Sequence, residues 1–205
     1  MYKLKLFAKK PVPVPFTFAL GASAGAGLMW MLLLLTVTVT NVVAAVIPAP
    51  PVGATSSLAV VPERISVPAI ALDAAFTDPL GLNDNGTIMV PSVFDKAGWY
   101  KYSPLPGERG PAVVLGHINS KSGQAVFYDL RALQPGDIID ISLSNGSTTS
   151  FVVERATYFA QDTFPAAEVY GDIDHAGLRL ISCSGSFNPL TKKYSHNLVV
   201  FARAR

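Results

Sequence analysis

Cys183 is the only cysteine in 205 residues, and it closes the segment Leu178-Arg179-Leu180-Ile181-Ser182-Cys183, whose residues 178 to 182 read as a buried strand. A second run of the same kind, Ala112-Val113-Val114-Leu115-Gly116-His117, ends in a histidine. A thiolate is a strong nucleophile toward a carbonyl carbon, and an imidazole beside it can stabilise that charge and later protonate a departing amine. Cysteine and histidine at two strand ends therefore point to acyl transfer, with Cys183 as nucleophile and His117 as proton carrier. Taken singly, each has a plainer reading. A lone cysteine is often a small buried hydrophobe, and a histidine at a strand end is commonly a turn residue. The shared context is what favours chemistry. His175, in Asp172-Ile173-Asp174-His175, reads as a solvated turn.

The elements that must position these groups are short runs rich in β-branched residues, separated by turn signals, from Arg64 onward. That pattern argues for an all-β sandwich or barrel. Strands are expected over Arg64 to Ile70, Thr87 to Val90, Ala112 to His117, Asp137 to Ser142, Ser150 to Tyr158, Leu178 to Ser182 and Asn197 to Ala204. Between them lie Asn83-Asp84-Asn85-Gly86, Pro135-Gly136-Asp137 and Ser144-Asn145-Gly146-Ser147. Asn-Gly supplies the positive φ angles of a tight hairpin, so Asn145-Gly146 is expected to turn one. Helix is scarce: Ala125 to Leu133 and Pro165 to Tyr170 can each form a turn or two, the second opened by proline at a favourable position.

Half of the residues are hydrophobic and only 15% are charged. Much of that bias comes from residues 16–47, which carry no charge and include Leu28-Met29-Trp30-Met31-Leu32-Leu33-Leu34-Leu35. About 20 such residues span a bilayer as a helix. Residues 1–15 hold Lys3, Lys5, Lys9 and Lys10, which favour a cytoplasmic N-terminus and place the rest of the chain outside the cell membrane. A cleaved signal peptide ending near Val43-Ala44-Ala45 is the competing reading, but the apolar run exceeds the usual length of about 7 to 15 residues. Residues 48–63 are rich in Pro, Ala and Ser, as a tether is, and residues 64–205 are long enough for one folded domain. Setting the four lysines aside turns the formal charge of +2 into −2, so nothing suggests a nucleic-acid surface. No metal motif is visible either: Asp172 and Asp174 are two acidic residues in a loop, whereas calcium takes about six to eight oxygens. No cofactor is expected.

Several motifs in order extend the argument: Arg64-Ile65-Ser66-Val67-Pro68-Ala69-Ile70, Gly98-Trp99-Tyr100, Pro106 to His117, Ala125-Val126-Phe127-Tyr128-Asp129-Leu130, Leu133-Gln134-Pro135-Gly136-Asp137, Phe164-Pro165, Val169-Tyr170-Gly171, Leu178 to Cys183, and Tyr194 to Ala202. With these the chain resembles the sortases, cysteine transpeptidases of Gram-positive bacteria, and most closely their class F. The resemblance implies a closed sortase-type β-barrel of about eight strands with one or two short helices, preceded by the transmembrane helix. It implies that His117 and Cys183 are catalytic, that Cys183 attacks the threonine carbonyl of an LPXTG-like sorting signal on a secreted protein, and that a peptidoglycan-precursor amine resolves the thioacyl intermediate. The loop from Phe159 to Gly177 is then expected to border the signal, with Phe164, Val169, Tyr170, Ser182 and His196 as substrate-binding residues.

Sortases also place an arginine near the thiol, where its guanidinium can bond the substrate backbone and the developing oxyanion. The segment Ser184 to Val200 contains none and offers Lys192, Lys193, Ser195, His196 and Asn197 instead. Lys192 or Lys193 is the expected substitute. Arg179, on the same strand face as Cys183 by alternation, is a third candidate. The missing arginine favours one alternative, a catalytically impaired peptide-binding protein of this fold; a second alternative, a hydrolase of the same signal, differs from the transpeptidase only in the nucleophile that resolves the intermediate.

Overall fold

The computed structural model describes residues 59–205. The expected anchor and most of the expected tether lie outside the described residues. Among the described residues no helix is long and apolar enough to cross a membrane.

The described residues begin with β1 (Pro62–Val67), a single 3-10 turn over Pro68–Ile70 and β2 (Leu72–Ala75). After a long connection come β3 (Gly98–Trp99), β4 (Gly110–Leu115) and a small two-stranded ribbon of β5 (Asn119–Ser120) and β6 (Gly123–Gln124). A 3-10 turn over Tyr128–Ala132 leads to β7 (Ile138–Leu143) and β8 (Thr148–Ala160), then α1 (Ala166–Tyr170), β9 (Ala176–Asn188) and β10 (Lys193–Ala204). Eight strands form one curled sheet in the order β2-β1-β7-β8-β10-β9-β4-β3.

The expected closed barrel is corrected to a curled half-barrel. Its edge strands are short, and they meet only through isolated pairing just beyond their ends, at Phe76 and Ala97. There Thr77 N donates to Ala97 O at 2.8 Å and Ala97 N to Ala75 O at 3.1 Å. A two-residue β3 cannot carry a full ladder. The segment between the edges, where a strand over Thr87 to Val90 is expected, forms no ladder, and near that stretch the pairing is limited to isolated bridges of Leu80 with Tyr100 and of Leu82 with Ile88. It covers a sheet face instead, with Ile88 buried.

Two apolar layers follow from this arrangement. Inside the curl, Ile65, Trp99, Val114, Phe127, Ile141, Phe151, Leu180 and Val200 pack together. On the outer face, Val113, Leu115, Ile181, Val199 and Phe201 are covered by Leu80, Ile88 and Val169, with Phe159, Phe164 and Tyr170 packed against them. Strands β4, β9 and β10 are therefore buried on both faces. That explains why their sequences read as unbroken apolar runs, whereas β7 alternates between buried and half-buried residues.

The Asn145-Gly146 turn joins β7 to β8: Gly146 has φ 83°, Gly146 N donates to Leu143 O at 2.9 Å, and Asn145 Oδ1 accepts from Ser147 N at 3.0 Å. A different glycine matters for the site. A Cβ on Gly116 would lie 2.4 Å from Cδ2 of Phe127, and that ring is buried with no room to turn aside. Gly116 immediately precedes His117. The Gly116→Ala protein is expected to lose about 1–3 kcal/mol through overpacking, whereas Leu190→Ala, on an exposed hairpin tip, is expected to stay within about 0.5 kcal/mol of the parent. Urea unfolding of the two variants checks this.

Candidate active site

Cys183 sits near the middle of β9 and is half-buried. The strand does not stop at the thiol, because it continues to Asn188 and turns back as β10. Alternation puts the Cys183 side chain on the outer face with Ile181 and Arg179. Across the ladder its partner on β10 is Asn197, and Asn197 in turn opposes Phe159 on β8. On the other side, β4 runs parallel to β9 with Leu115 beside Ile181. Gly116 N donates to Ile181 O at 3.1 Å, which extends the pairing so that the next residue, His117, arrives alongside Cys183. The register thus lays His117, Cys183, Asn197 and Phe159 in one row across four strands.

The row opens into a groove. Its walls are Ile88, Val90, Pro91, Leu115 and Ile181, and its polar groups are those of His117, Ser182, Cys183 and Asn197. The histidine is held at its ring by two contacts and at its backbone by a third. Its Nε2 lies 2.8 Å from Pro91 O, and because a carbonyl only accepts, Nε2 carries the hydrogen. Nδ1 is then the nitrogen left to take or return a proton. The Phe94 ring lies 4.7 Å from the imidazole, centroid to centroid, at a tilt of 44°. Phe127 N donates to His117 O at 2.9 Å, tying the backbone of the histidine to the inner core.

The other expected site residues are distributed differently. Arg179 shares the face of Cys183 but stands four residues away, about 13 Å along a strand, with Ile181 between them. It is only 5% exposed, and its guanidinium stacks 4.6 Å from the centroid of Phe201, its cross-strand partner. Nη1 donates to Leu178 O at 3.0 Å, while Nε is buried without a partner. Burial, and after it the nearby Arg155, holds the guanidinium below its ordinary pKa. Lys192 lies in the hairpin turn with φ 57° and Lys193 opposes Asn188. Both are exposed, and Lys193 is four residues along β10 from Asn197, again about 13 Å. No arginine or lysine lines the groove.

His196 opposes Ser184 and shares a 2.8 Å hydrogen bond between its Nδ1 and Ser195 Oγ. Gly185, with φ 78°, lets these two side chains approach: a Cβ there would sit 2.2 Å from Ser195 Oγ. Ser182 reaches the groove edge, but its Oγ is buried without a partner. Phe164, Val169 and Tyr170 belong to the outer apolar layer beside Phe159, where Phe164 meets Phe159 edge-on at 5.9 Å and Tyr170 at 5.8 Å. Val169 is wholly buried. The Tyr170 hydroxyl is buried without a partner, and burial raises its pKa. Among the described residues no three His, Cys, Asp or Glu side chains cluster as a metal site requires.

The residue that sequence reasoning passed over is Asn197. It is 3% exposed, lines the groove and lies directly opposite the cysteine. Its one visible signal is a polar side chain opening the apolar run Leu198-Val199-Val200-Phe201-Ala202.

Residues 65–205 match the family described as Sortase domain. Comparison with curated protein sequences gives no match. Among solved structures the chain is similar to a lid mutant of sortase A from Corynebacterium diphtheriae, with 22% identity and a TM-score of 0.55 over 71% of this chain and 70% of that one. It is similar as well to sortase C-1 from Actinomyces oris, with 21% identity and a TM-score of 0.54 over 70% and 71% of the two chains. A pilus-related sortase C of Group B Streptococcus aligns at 20% identity and a TM-score of 0.55, over 70% of this chain and 66% of that one. These likenesses concern the fold, which sortases of types A and C share with this chain. The family match spans more than half of the sequence, and the protein belongs to the sortase family.

Proposed function

We propose that the protein is a cysteine transpeptidase that cleaves an LPXTG-like sorting signal between Thr and Gly and transfers the upstream protein to a cell-wall amine. The observation that supports this reading most is the placement of Cys183, on β9, beside His117, just beyond the end of the neighbouring β4, in a groove with apolar walls. The Cys183 thiol passes its proton to Nδ1 of His117, Sγ attacks the threonine carbonyl carbon, and the C–N bond breaks as Nδ1 gives that proton to the leaving amine. A second amine then attacks the thioester, returns a proton to His117 and frees the sulfur. Ile88, Val90, Pro91, Leu115 and Ile181 offer an apolar surface suited to the Leu-Pro portion of such a signal.

The finer assignments rest on sequence. The ordered motifs from Arg64 to Ala202 support class F. Residues 16–47, as a retained transmembrane helix after a lysine-rich N-terminus, support a single-pass membrane protein with its catalytic domain outside the cytoplasm. A peptidoglycan precursor is the acceptor that such a location favours. Hydrolysis of the thioester by water is the alternative outcome of the same first step, and a catalytically impaired peptide-binding protein is the alternative to both.

Incubating the purified full chain with a Leu-Pro-Ala-Thr-Gly peptide and triglycine, followed by mass spectrometry, tests the reading. The expected product joins threonine to triglycine and is absent with Cys183→Ala. A threonine-terminated product alone identifies a hydrolase, and no thioacyl adduct across related peptides identifies the impaired peptide-binding protein. In the same assay, Arg179→Met, Lys192→Ala and Lys193→Ala are each expected to keep the turnover of the parent within about threefold. Arg179 and Lys193 stand about 13 Å from the row along their strands and Lys192 lies beyond Lys193 in the hairpin turn, so none of the three is positioned to contact the reacting carbonyl.

A further inference from the structure

Acyl transfer through Cys183, the reading on which this inference rests, needs a hydrogen-bond donor for the carbonyl oxygen as it becomes an oxyanion. The row across the sheet restricts what can provide one. Arg179 is committed to Phe201, and Lys192 and Lys193 are out on the hairpin end. Asn197 is directly opposite Cys183, and residues so opposed in an antiparallel ladder have Cβ atoms about 4.5–5.5 Å apart on the same face. Its carboxamide is oriented: Oδ1 accepts from Gln161 Nε2 at 3.2 Å, while Gln161 is itself fixed by its backbone N–H, which donates to Ser195 O at 3.1 Å. With the oxygen committed to Gln161, the two N–H bonds are what the carboxamide contributes to the groove that it lines.

We propose that Asn197, oriented by Gln161, is the side-chain oxyanion donor of this enzyme, taking the role that an arginine would otherwise fill. When Cys183 Sγ bonds to the carbonyl carbon, the π electron pair moves onto the oxygen, and Asn197 Nδ2–H donates to that oxygen. On collapse the pair returns, the C–N bond breaks and the amine leaves with the proton from His117. Asn197 keeps its own proton throughout. The donor is neutral, so it stabilises the oxyanion without adding a fixed cation beside the thiol. Asn197 is the catalytic residue here, and Gln161 is a positioning residue.

Two reactions of the same sulfur separate this role from a merely structural one. p-Nitrophenyl acetate acylates a thiolate through an oxyanion and releases p-nitrophenolate, whereas iodoacetamide alkylates it by displacing iodide and forms none. With the purified full chain, Asn197→Leu, which has similar volume and no donor, is expected to slow the Cys183-dependent phenolate burst by about a hundredfold and to leave alkylation within twofold. Gln161→Leu, at a half-buried position, is expected to slow the burst severalfold with alkylation unchanged, and it carries the test if Asn197→Leu does not fold. A burst unaffected in the folded variants overturns the assignment of Asn197. So does a parallel loss of alkylation, which would mean that Asn197 acts on the thiol. The absence of any Cys183-dependent burst in the native chain overturns cysteine acyl transfer itself, a result distinguishable from the other two.

Discussion

Everything at the site depends on the register of three strands that are buried on both faces. A one-residue slip between strands moves every side chain of the slipped strand to the opposite face. In β4, β9 and β10 such a slip would exchange the inner layer of Leu180 and Val200 for the outer layer of Ile181 and Val199, and it would carry Cys183 into the closed interior of the curl. The apolar residues that hold the register contribute no chemistry, yet they decide that a thiol, an imidazole and a carboxamide share a row. The catalytic geometry is in this sense a property of the core, expressed at the place where the outer layer stops and the groove begins.

The same constraint explains which parts of the structure were legible in the sequence. Doubly buried strands leave long apolar runs, so the apolar parts of β4, β9 and β10 could be located, though not the full lengths of β9 and β10, and the β7–β8 hairpin announced itself through Asn145-Gly146. The half-barrel's edges left little trace: β2 is four residues and β3 two, too short for any period to show. Thr87 to Val90 has the composition of a strand but finds no partner ladder, and Ile88 serves the outer layer from a loop. The continuation of β9 past Cys183 was hidden because the apolar run ends at the thiol and small polar residues follow. In the structure Gly185 takes a positive φ, and the pairing with β10 shifts register there.

Site legibility divides along similar lines. Cys183 and His117 stood out because reactive residue types ended apolar runs. Alternation placed Arg179 on the face of Cys183, as it does in the structure, but a shared face says nothing of distance along the strand. The side chain settles on Phe201, a position that depends on cross-strand pairing. Asn197, named only as one of several residues in the segment that lacks an arginine, was not singled out, for the complementary reason. Its significance lies wholly in what it faces, and a single sequence does not display register across a hairpin whose ladder contains an irregularity.

The hydrogen bond from His117 to the Pro91 carbonyl ties two regions of different mechanical character. The imidazole stands just beyond a strand whose backbone is locked on both sides, whereas Pro91 belongs to the long connection between the edge strands, anchored by bridges at Phe76, Leu80 and Ala97. The carbonyl selects which ring nitrogen is protonated, so the tautomer balance of His117 measures the position of that connection. Displacing the connection would lengthen that hydrogen bond and weaken the preference for hydrogen on Nε2. Proton traffic at the thiol is thereby linked to how well the open side of the half-barrel is clasped.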